Sequence, residues 1–130
     1  MAPVRRYQDL VAWQLAVDLA TAVSEVAGAD PMARRFGLRD QLRNAAQSAP
    51  ALIAEGFLRF TPEEFVRYLR MARAELGEVQ THLEIARRQG LLSEEQLSRV
   101  LPLASRTMAV TTRLLQSKLP ALTAKRPRTR

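Results

Sequence analysis

The feature that most constrains this sequence is an unbroken helical period in its central part. Apolar residues recur there at alternating intervals of four and three, at Phe65, Leu69, Ala72, Leu76, Val79, Leu83 and Ala86. Because an α-helix has about 3.6 residues per turn, this spacing places all of these side chains on one face. Such a face is stable only when it is covered, so the sequence predicts that other helices pack against it.

Capping residues mark the limits of this helix and the start of the next. Thr61 is suited to accept a hydrogen bond at the helix start, Pro62 to the first helical position, and Glu64 completes a capping box. Gly90 is suited to the left-handed conformation that ends a helix. A second capping box, Ser-x-x-Gln, begins at Ser93 and predicts a fourth helix.

Two further amphipathic segments precede these helices. The first helix is predicted from Gln8 to Ala27 and the main second helix from Leu38 to about Leu58. The core face of the first is assigned to Leu10, Trp13, Val17, Ala20 and Val23 or Ser24, beside a second apolar set, Val11, Leu15, Leu19 and Val26. Four helices with short loops predict an all-α fold, an antiparallel up-down four-helix bundle over residues 7–118.

The second helix contains three unusual residues. Pro50 removes the amide that would donate to a carbonyl one turn earlier, at a cost of about 3 kcal/mol in a helix interior, so a kinked helix is expected. Gly56 permits close approach of another element, at some cost in helix propensity. Glu55 is either an acid–base group or the partner of an arginine, within the chain or across a subunit interface. The ion pair is favoured because no second catalytic group accompanies Glu55.

The positive charge is concentrated at the two ends of the chain. The formal net charge is +7, but residues 1–6, a basic N-terminal arm, and residues 118–130 hold seven basic residues and no acidic one. Removing these seven from the 20 basic residues leaves 13, which equals the number of acidic residues. Residues 119–130 are interpreted as a disordered basic tail.

Three basic groups are candidate contacts for the phosphates of RNA or DNA. The arginine patch, near the start of the second helix, consists of Arg34, Arg35, Arg39 and Arg43. The stripe on the fourth helix consists of Arg99, Arg106 and Arg113. The tail contributes Lys125, Arg126, Arg128 and Arg130. The plainer interpretation of each is solvated surface. Because no aromatic residue interleaves with the tail charges, base stacking is not indicated there, and weakly sequence-specific binding is expected.

Two apolar surfaces predict contact with other subunits. The first is the second apolar set on the first helix, Val11, Leu15, Leu19 and Val26. The second is a cluster at the end of the second helix, Phe57, Leu58 and Phe60. Apolar surface that a single bundle leaves uncovered is typical of interfaces, so a homo-oligomer is expected.

Several classes of function are disfavoured. The chain has no cysteine, which excludes a disulfide scaffold and a thiol nucleophile. His82 is the only histidine, and its neighbour Glu78 alone does not make the paired Glu-x-x-His motifs of a di-metal bundle. No phosphate loop or catalytic triad pattern occurs. We therefore expect no enzymatic activity, cofactor, metal or small-molecule substrate. Neither a signal peptide nor a membrane span is indicated, and a cytoplasmic location is expected.

Three segments of the chain resemble a known family. They are YQDLVAWQLAVDL, FGLRDQLRNAAQSAPALIAEGFLR and THLEIARRQGLL, within residues 7–92. Their aromatic-x-Asp-Leu, Gly-Leu-x-x-Gln-Leu-Arg, Ala-Glu-Gly and Leu-Glu-Ile-Ala motifs resemble the four-helix-bundle proteins encoded in intervening sequences of bacterial 23S ribosomal RNA genes. The chain departs from the family at Leu52, where members usually have Asn, and at Ala74 and Glu75, where a Gly-Ser pair is common.

The resemblance implies a homo-oligomer, typically a ring of five bundles around a central channel. It also implies kinship with the accessory protein of diversity-generating retroelements, whose basic ring binds RNA and a reverse transcriptase. We therefore predict a non-enzymatic, ring-forming accessory or scaffold protein associated with RNA or DNA. The alternative is a structural or protein-interaction module without nucleic-acid binding, which the neutral body favours. An enzyme whose site is completed between subunits is a third class.

Overall fold

The computed structural model describes residues 3–125, and side chains as far as residue 122. Four α-helices form the fold: α1 Val11–Ala27, α2 Phe36–Leu58, α3 Pro62–Arg88 and α4 Glu94–Lys125. Single 3₁₀ turns precede α1 and α2, at Tyr7–Asp9 and Met32–Arg34, so α1 begins at Val11 rather than at Gln8. The described residues contain no strand, and the predicted all-α class with four helices is confirmed.

The helices pack in a closed order. The contacting pairs are α1 with α2, α2 with α3, α3 with α4, and α4 with α1. The interior has two apolar clusters, one around Leu19, Leu42 and Leu83, and the other around Ile53 and Phe65. None of the helices within residues 3–125 is long and apolar enough to cross a membrane.

The predicted helix starts are confirmed, but the capping box at α3 forms only in part. Among the described residues the Glu64 carboxylate accepts no hydrogen bond from the Thr61 amide, and its Oε2 lies 3.6 Å from Nη1 of Arg67. The Thr61 hydroxyl oxygen accepts a hydrogen bond from the amide of Glu64 at 3.2 Å, and α3 starts directly after this cap. Ser93 and Gln96 form a reciprocal box, in which each backbone amide donates to the other side chain, at 2.8 and 3.1 Å. Gly90 has a φ of +68°, the left-handed conformation that favours glycine after a helix.

The structure corrects the predicted core face of α1. Val17 and Ala20 are only partly buried. The buried residues of the helix are Ala12, Leu15, Ala16, Leu19, Ala22, Val23, Val26 and Ala27. Leu15, Leu19 and Val26, predicted to contact another subunit, are therefore covered by helices of the same chain. The buried face combines the larger residues of the second apolar set with four alanines, whose small side chains permit close helix packing.

The second helix continues through Pro50, as the sequence indicates. Pro50 is buried in the middle of α2, which runs unbroken on both sides of it. Farther along α2, Gly56 faces α3 and lies against the side chains of Phe65 and Tyr68. These contacts place the end of α2 directly on the first turns of α3.

The fourth helix is longer than predicted. The bundle is predicted to end at residue 118, whereas α4 continues to Lys125. Leu119 and Leu122 pack against the cluster around Ile53, which holds this extension on the bundle. The predicted disordered tail is therefore helical over residues 119–125. Its remaining candidates, Arg126, Arg128 and Arg130, lie outside the described residues, and so do the first two residues of the N-terminal arm.

Candidate nucleic-acid interface

The arginine patch comprises Arg34, Arg35, Arg39 and Arg43, at the junction between the second 3₁₀ turn and α2. Met32, in the same 3₁₀ turn, is buried in the core and anchors this connection. Two of the four arginines, Arg34 and Arg35, follow it closely and are exposed. The fold thus brings the four predicted arginines of this group together at one end of the bundle.

Arg39 makes more contacts within the described chain than the other members of the patch. Its Nε donates to Oδ1 of Asp40 and its Nη1 to the carbonyl of Ala33, both at 2.9 Å. Its guanidinium carbon also lies 4.9 Å from the ring centroid of Phe36. Two hydrogen bonds and a ring contact therefore hold this guanidinium in a single place.

The other members differ in how their charge is balanced. Arg34 donates to Asp30 at 3.1 Å, and this hydrogen bond raises the pKa of Arg34 above its usual value. Arg35 has no ion pair with any residue of the described chain. Nε of Arg43 is buried and has no hydrogen-bond partner among residues 3–125. Four arginines face two aspartates between residues 30 and 43, so this segment keeps a charge of +2.

The stripe on α4 is only partly free. Arg99 forms an ion pair with Glu25, in the last turn of α1. Arg106 and Arg113 are exposed and make no ion pair within the described part of the chain. Nη2 of Arg43 lies 3.4 Å from the β-carbon position of Gly28, directly after α1, where the helix dipole also favours a cation. Arg43 and Arg99 therefore both lie at the C-terminal end of α1.

Several of the predicted interface residues lie at the opposite end of the bundle. Val11, Leu58 and Phe60 are exposed, whereas Phe57 packs edge-on against Phe65 with ring centroids 6.0 Å apart. These four are the interface candidates that the fold leaves at or near the surface. Two of them, Phe57 and Phe60, line a groove of about 360 Å³. Its other lining residues are Val4, Arg5, Thr61, Pro62, Phe65 and Lys118.

Phe60 combines two unfavourable features in the connection between α2 and α3. Its side chain is 91% exposed, and its φ is +67°. The left-handed conformation costs a residue with a β-carbon roughly 1–2 kcal/mol, and Phe60 gains no core packing in return. Such strain in a bulky exposed residue is a reason to look for a partner surface at this end.

Glu55 lies in an ion pair within the chain. Its Oε1 accepts hydrogen bonds from Arg59 at 3.1 Å and from the Tyr68 hydroxyl at 3.3 Å. The guanidinium of Arg59 also lies over the Tyr68 ring, 5.0 Å from its centroid. This geometry matches the ion-pair interpretation of Glu55, and the carboxylate ties α2 to α3 beside Gly56. Among residues 3–125, no three histidine, aspartate or glutamate side chains are grouped to hold a metal ion.

Sequence reasoning missed two residues of the candidate interface. Phe36 is 64% exposed within the arginine patch, and Glu25 neutralises Arg99 across 74 residues of sequence. A signal for Phe36 was present, since it directly follows Arg34 and Arg35 and precedes Arg39 by one helical turn. No local signal indicates Glu25, because the pair forms only when α1 and α4 pack.

The protein is thus a small all-α protein of the four-helix-bundle class, with an arginine patch at one end. The sequence model of the 23S rRNA-intervening sequence protein family matches residues 8–113. The chain belongs to that family, which confirms the resemblance seen in its motifs. A comparison with curated proteins gives no match.

Proposed function

We propose that this protein is a non-enzymatic accessory or scaffold protein that associates with RNA or DNA through the arginine patch and the free arginines of α4. The observation that carries the proposal is the surplus of arginine over carboxylate in the patch. Arg35 and Arg43 lack an ion-pair partner within residues 3–125, and Arg106 and Arg113 extend the free charge along α4. The family name, which refers to intervening sequences of 23S rRNA, supports an RNA-associated role.

Arginine suits phosphate because its planar guanidinium can make two parallel hydrogen bonds. Each phosphate neutralised releases condensed counterions, so affinity should fall steeply with salt. Contacts of this kind carry no sequence information by themselves. We therefore infer binding that depends on charge and strand form more than on sequence.

We further propose an antiparallel bundle that assembles into a homo-oligomeric ring, with five subunits favoured by the family resemblance. Two contacts support the antiparallel order. Arg99 pairs with Glu25 near the end of α1, and the Thr107 hydroxyl, farther along α4, lies 3.4 Å from the carbonyl of Leu15, nearer the start of α1. This order of contacts supports opposite directions for α1 and α4. The bend that we infer in α2 is supported by the buried Pro50, since proline crowds the preceding turn.

The subunit contact is assigned to the exposed apolar end of the bundle. Val11, Leu58 and Phe60 are large apolar side chains left in solvent, and Phe57 lines a groove together with Phe60. Their grouping at one end suits an interface that buries them between copies of the chain. The arginine patch lies at the other end of α2, so assembly through the apolar end leaves it free.

The experiment that tests the nucleic-acid proposal is fluorescence anisotropy with single-stranded RNA, duplex RNA and DNA over a salt series. Light scattering on the same samples gives the oligomer mass. Arg35→Gln should weaken binding and reduce the slope of log affinity against log salt by about one. Arg59→Gln is the matched control, because it changes the net charge equally but removes a paired arginine at the opposite end.

The outcomes separate the two candidate functions. Salt-dependent binding that falls with Arg35→Gln and not with Arg59→Gln supports the patch as the contact surface. Equal losses in both variants assign the binding to net charge alone. Absence of binding at low salt rejects the nucleic-acid function and favours a structural or protein-interaction module.

A further inference from the structure

We propose that the arginine patch binds an unpaired nucleotide, with its base stacked on the ring of Phe36 and its neighbouring phosphates on Arg35 and Arg43. The inference rests on the proposed function and adds the form of the ligand, single-stranded rather than duplex nucleic acid. It follows from the environment of Phe36, the first residue of α2.

The ring of Phe36 is a surface without a partner in the core. It is 64% exposed, whereas Leu42 and Ile53 of the same helix are fully buried. The guanidinium of Arg39 lies 4.9 Å from the ring centroid. A guanidinium there covers part of the ring and leaves the rest to solvent, where a planar base can stack.

The platform is held in place before any ligand arrives. Arg39 donates to Asp40 and to the carbonyl of Ala33, both at 2.9 Å, so its guanidinium is fixed from two sides. A fixed side chain loses little further rotamer freedom on binding, which favours affinity. Phe36 therefore contacts a guanidinium that is itself hydrogen-bonded to two other groups.

Arginines without an ion pair in the described part of the chain lie on both sides of Phe36 and Arg39: the exposed Arg35 and the partly buried Arg43. Arg35 directly precedes Phe36 and is exposed without an ion pair in the described chain. Arg43 follows seven residues later, on the same face of α2 as Phe36 and Arg39, at a rise of about 10 Å along the helix. A nucleotide whose base stacks on Phe36 has a phosphate on each side, which matches this order of charges.

The arrangement favours single strands for a geometric reason. In a duplex both faces of an internal base are already stacked, so Phe36 has no free base to contact. A single strand offers unstacked bases and the same phosphates. Aromatic residues beside a basic groove are the usual means by which proteins bind single strands with little sequence preference.

The test compares strands that share phosphates and differ in bases. The full chain is titrated into fluorescein-labelled twelve-residue oligouridine RNA, oligothymidine DNA, an abasic strand of equal length and a duplex. The wild type should bind at least one of the two base-bearing strands about tenfold more tightly than the abasic strand. In Phe36→Ala this ratio should approach one, while affinity for the abasic strand and its salt slope stay as in the wild type.

Two further variants separate stacking from folding. Phe36→Tyr retains an aromatic ring, so its affinity for the base-bearing strand relative to the abasic strand should equal that of the wild type. Met71→Ala removes another exposed apolar side chain, on α3 and away from the patch, and should keep this relative affinity too. Far-UV circular dichroism verifies that each variant is as helical as the wild type.

Two results would overturn the inference while leaving the proposed function in place. They are an unchanged ratio in Phe36→Ala, and equal wild-type affinity for abasic and base-bearing strands. If no strand binds at low salt, the proposed function fails as well. A labelled peptide of glutamate and leucine that then binds in a Phe36-dependent manner would assign the patch to an acidic protein partner.

Discussion

A β-carbon placed on Gly56 would lie 2.6 Å from the Cβ of Tyr68. The same atom would lie 3.2 Å from Cδ1 of Phe65. The helices α2 and α3 thus approach each other here more closely than any residue with a side chain at position 56 allows. The ion pair of Glu55 with Arg59, and the Tyr68 hydroxyl on that carboxylate, lie at this same crossing.

Gly56→Ala should destabilise the protein by about 1–3 kcal/mol, because the added methyl group forces the two helices apart. The matched control is Gly77→Ala, in the interior of α3, where an added β-carbon meets nothing within 4 Å. The control should stabilise the protein by about 0.5–1 kcal/mol, since alanine is the better helix former. Urea denaturation followed by circular dichroism measures both. Stabilisation by both alanines would contradict the close crossing.

Aspartate substitutions should distinguish residues of the hydrophobic core from residues of the proposed subunit interface. Leu19 is buried, so Leu19→Asp places an unpaired charge in the core and should abolish most of the helical circular dichroism. Phe60→Asp should keep the fold, because the side chain is exposed and aspartate tolerates a positive φ better than phenylalanine does. Its oligomer should dissociate, as measured by light scattering. An unchanged mass for Phe60→Asp would exclude this end as the subunit contact.

The parts of the structure that sequence predicts are those set by local chemistry. Thr61, Ser93 and Gly90 act on backbone groups within a few residues, so their patterns define the starts of α3 and α4 and the end of α3. The core face of α1 was misassigned because apolar residues lie on two of its sides. Which side turns inward depends on how closely its alanines let the other helices approach.

Some features of the candidate site can also be predicted from local sequence, whereas others depend on how the helices pack. The four arginines of the patch are close in sequence, and the contact between Phe36 and Arg39 spans one turn, so both are readable from local spacing. The pairing of Arg99 with Glu25 depends on the packing of α1 against α4 and has no local signature. Only the structure therefore shows which arginines keep their charge free.

Glu84 should titrate with a pKa of about 2, because Arg87 and Arg88 donate hydrogen bonds to its carboxylate. Its pKa is lowered in the folded state, so the stabilisation is present above the unfolded value near 4.5 and is lost as pH falls through about 2. The stability difference between wild type and Glu84→Gln should shrink over that interval. Denaturation at several pH values measures this stability difference, and NMR titration of the Glu84 carboxylate measures its pKa. High salt should weaken the effect, since the groups are exposed.

Two truncations should separate the basic tail from the packed end of α4. Ending the chain after Lys125 removes Arg126, Arg128 and Arg130, and should leave the free energy of unfolding unchanged while weakening nucleic-acid binding and its salt dependence. Ending it after Lys118 also removes Leu119 and Leu122, which pack against the cluster around Ile53. This shorter chain should lose about 2 kcal/mol of stability as well. Urea denaturation and anisotropy on both chains measure the two effects. If removal of residues 126–130 leaves the salt slope unchanged, the tail makes no phosphate contact and binding must come from the folded bundle.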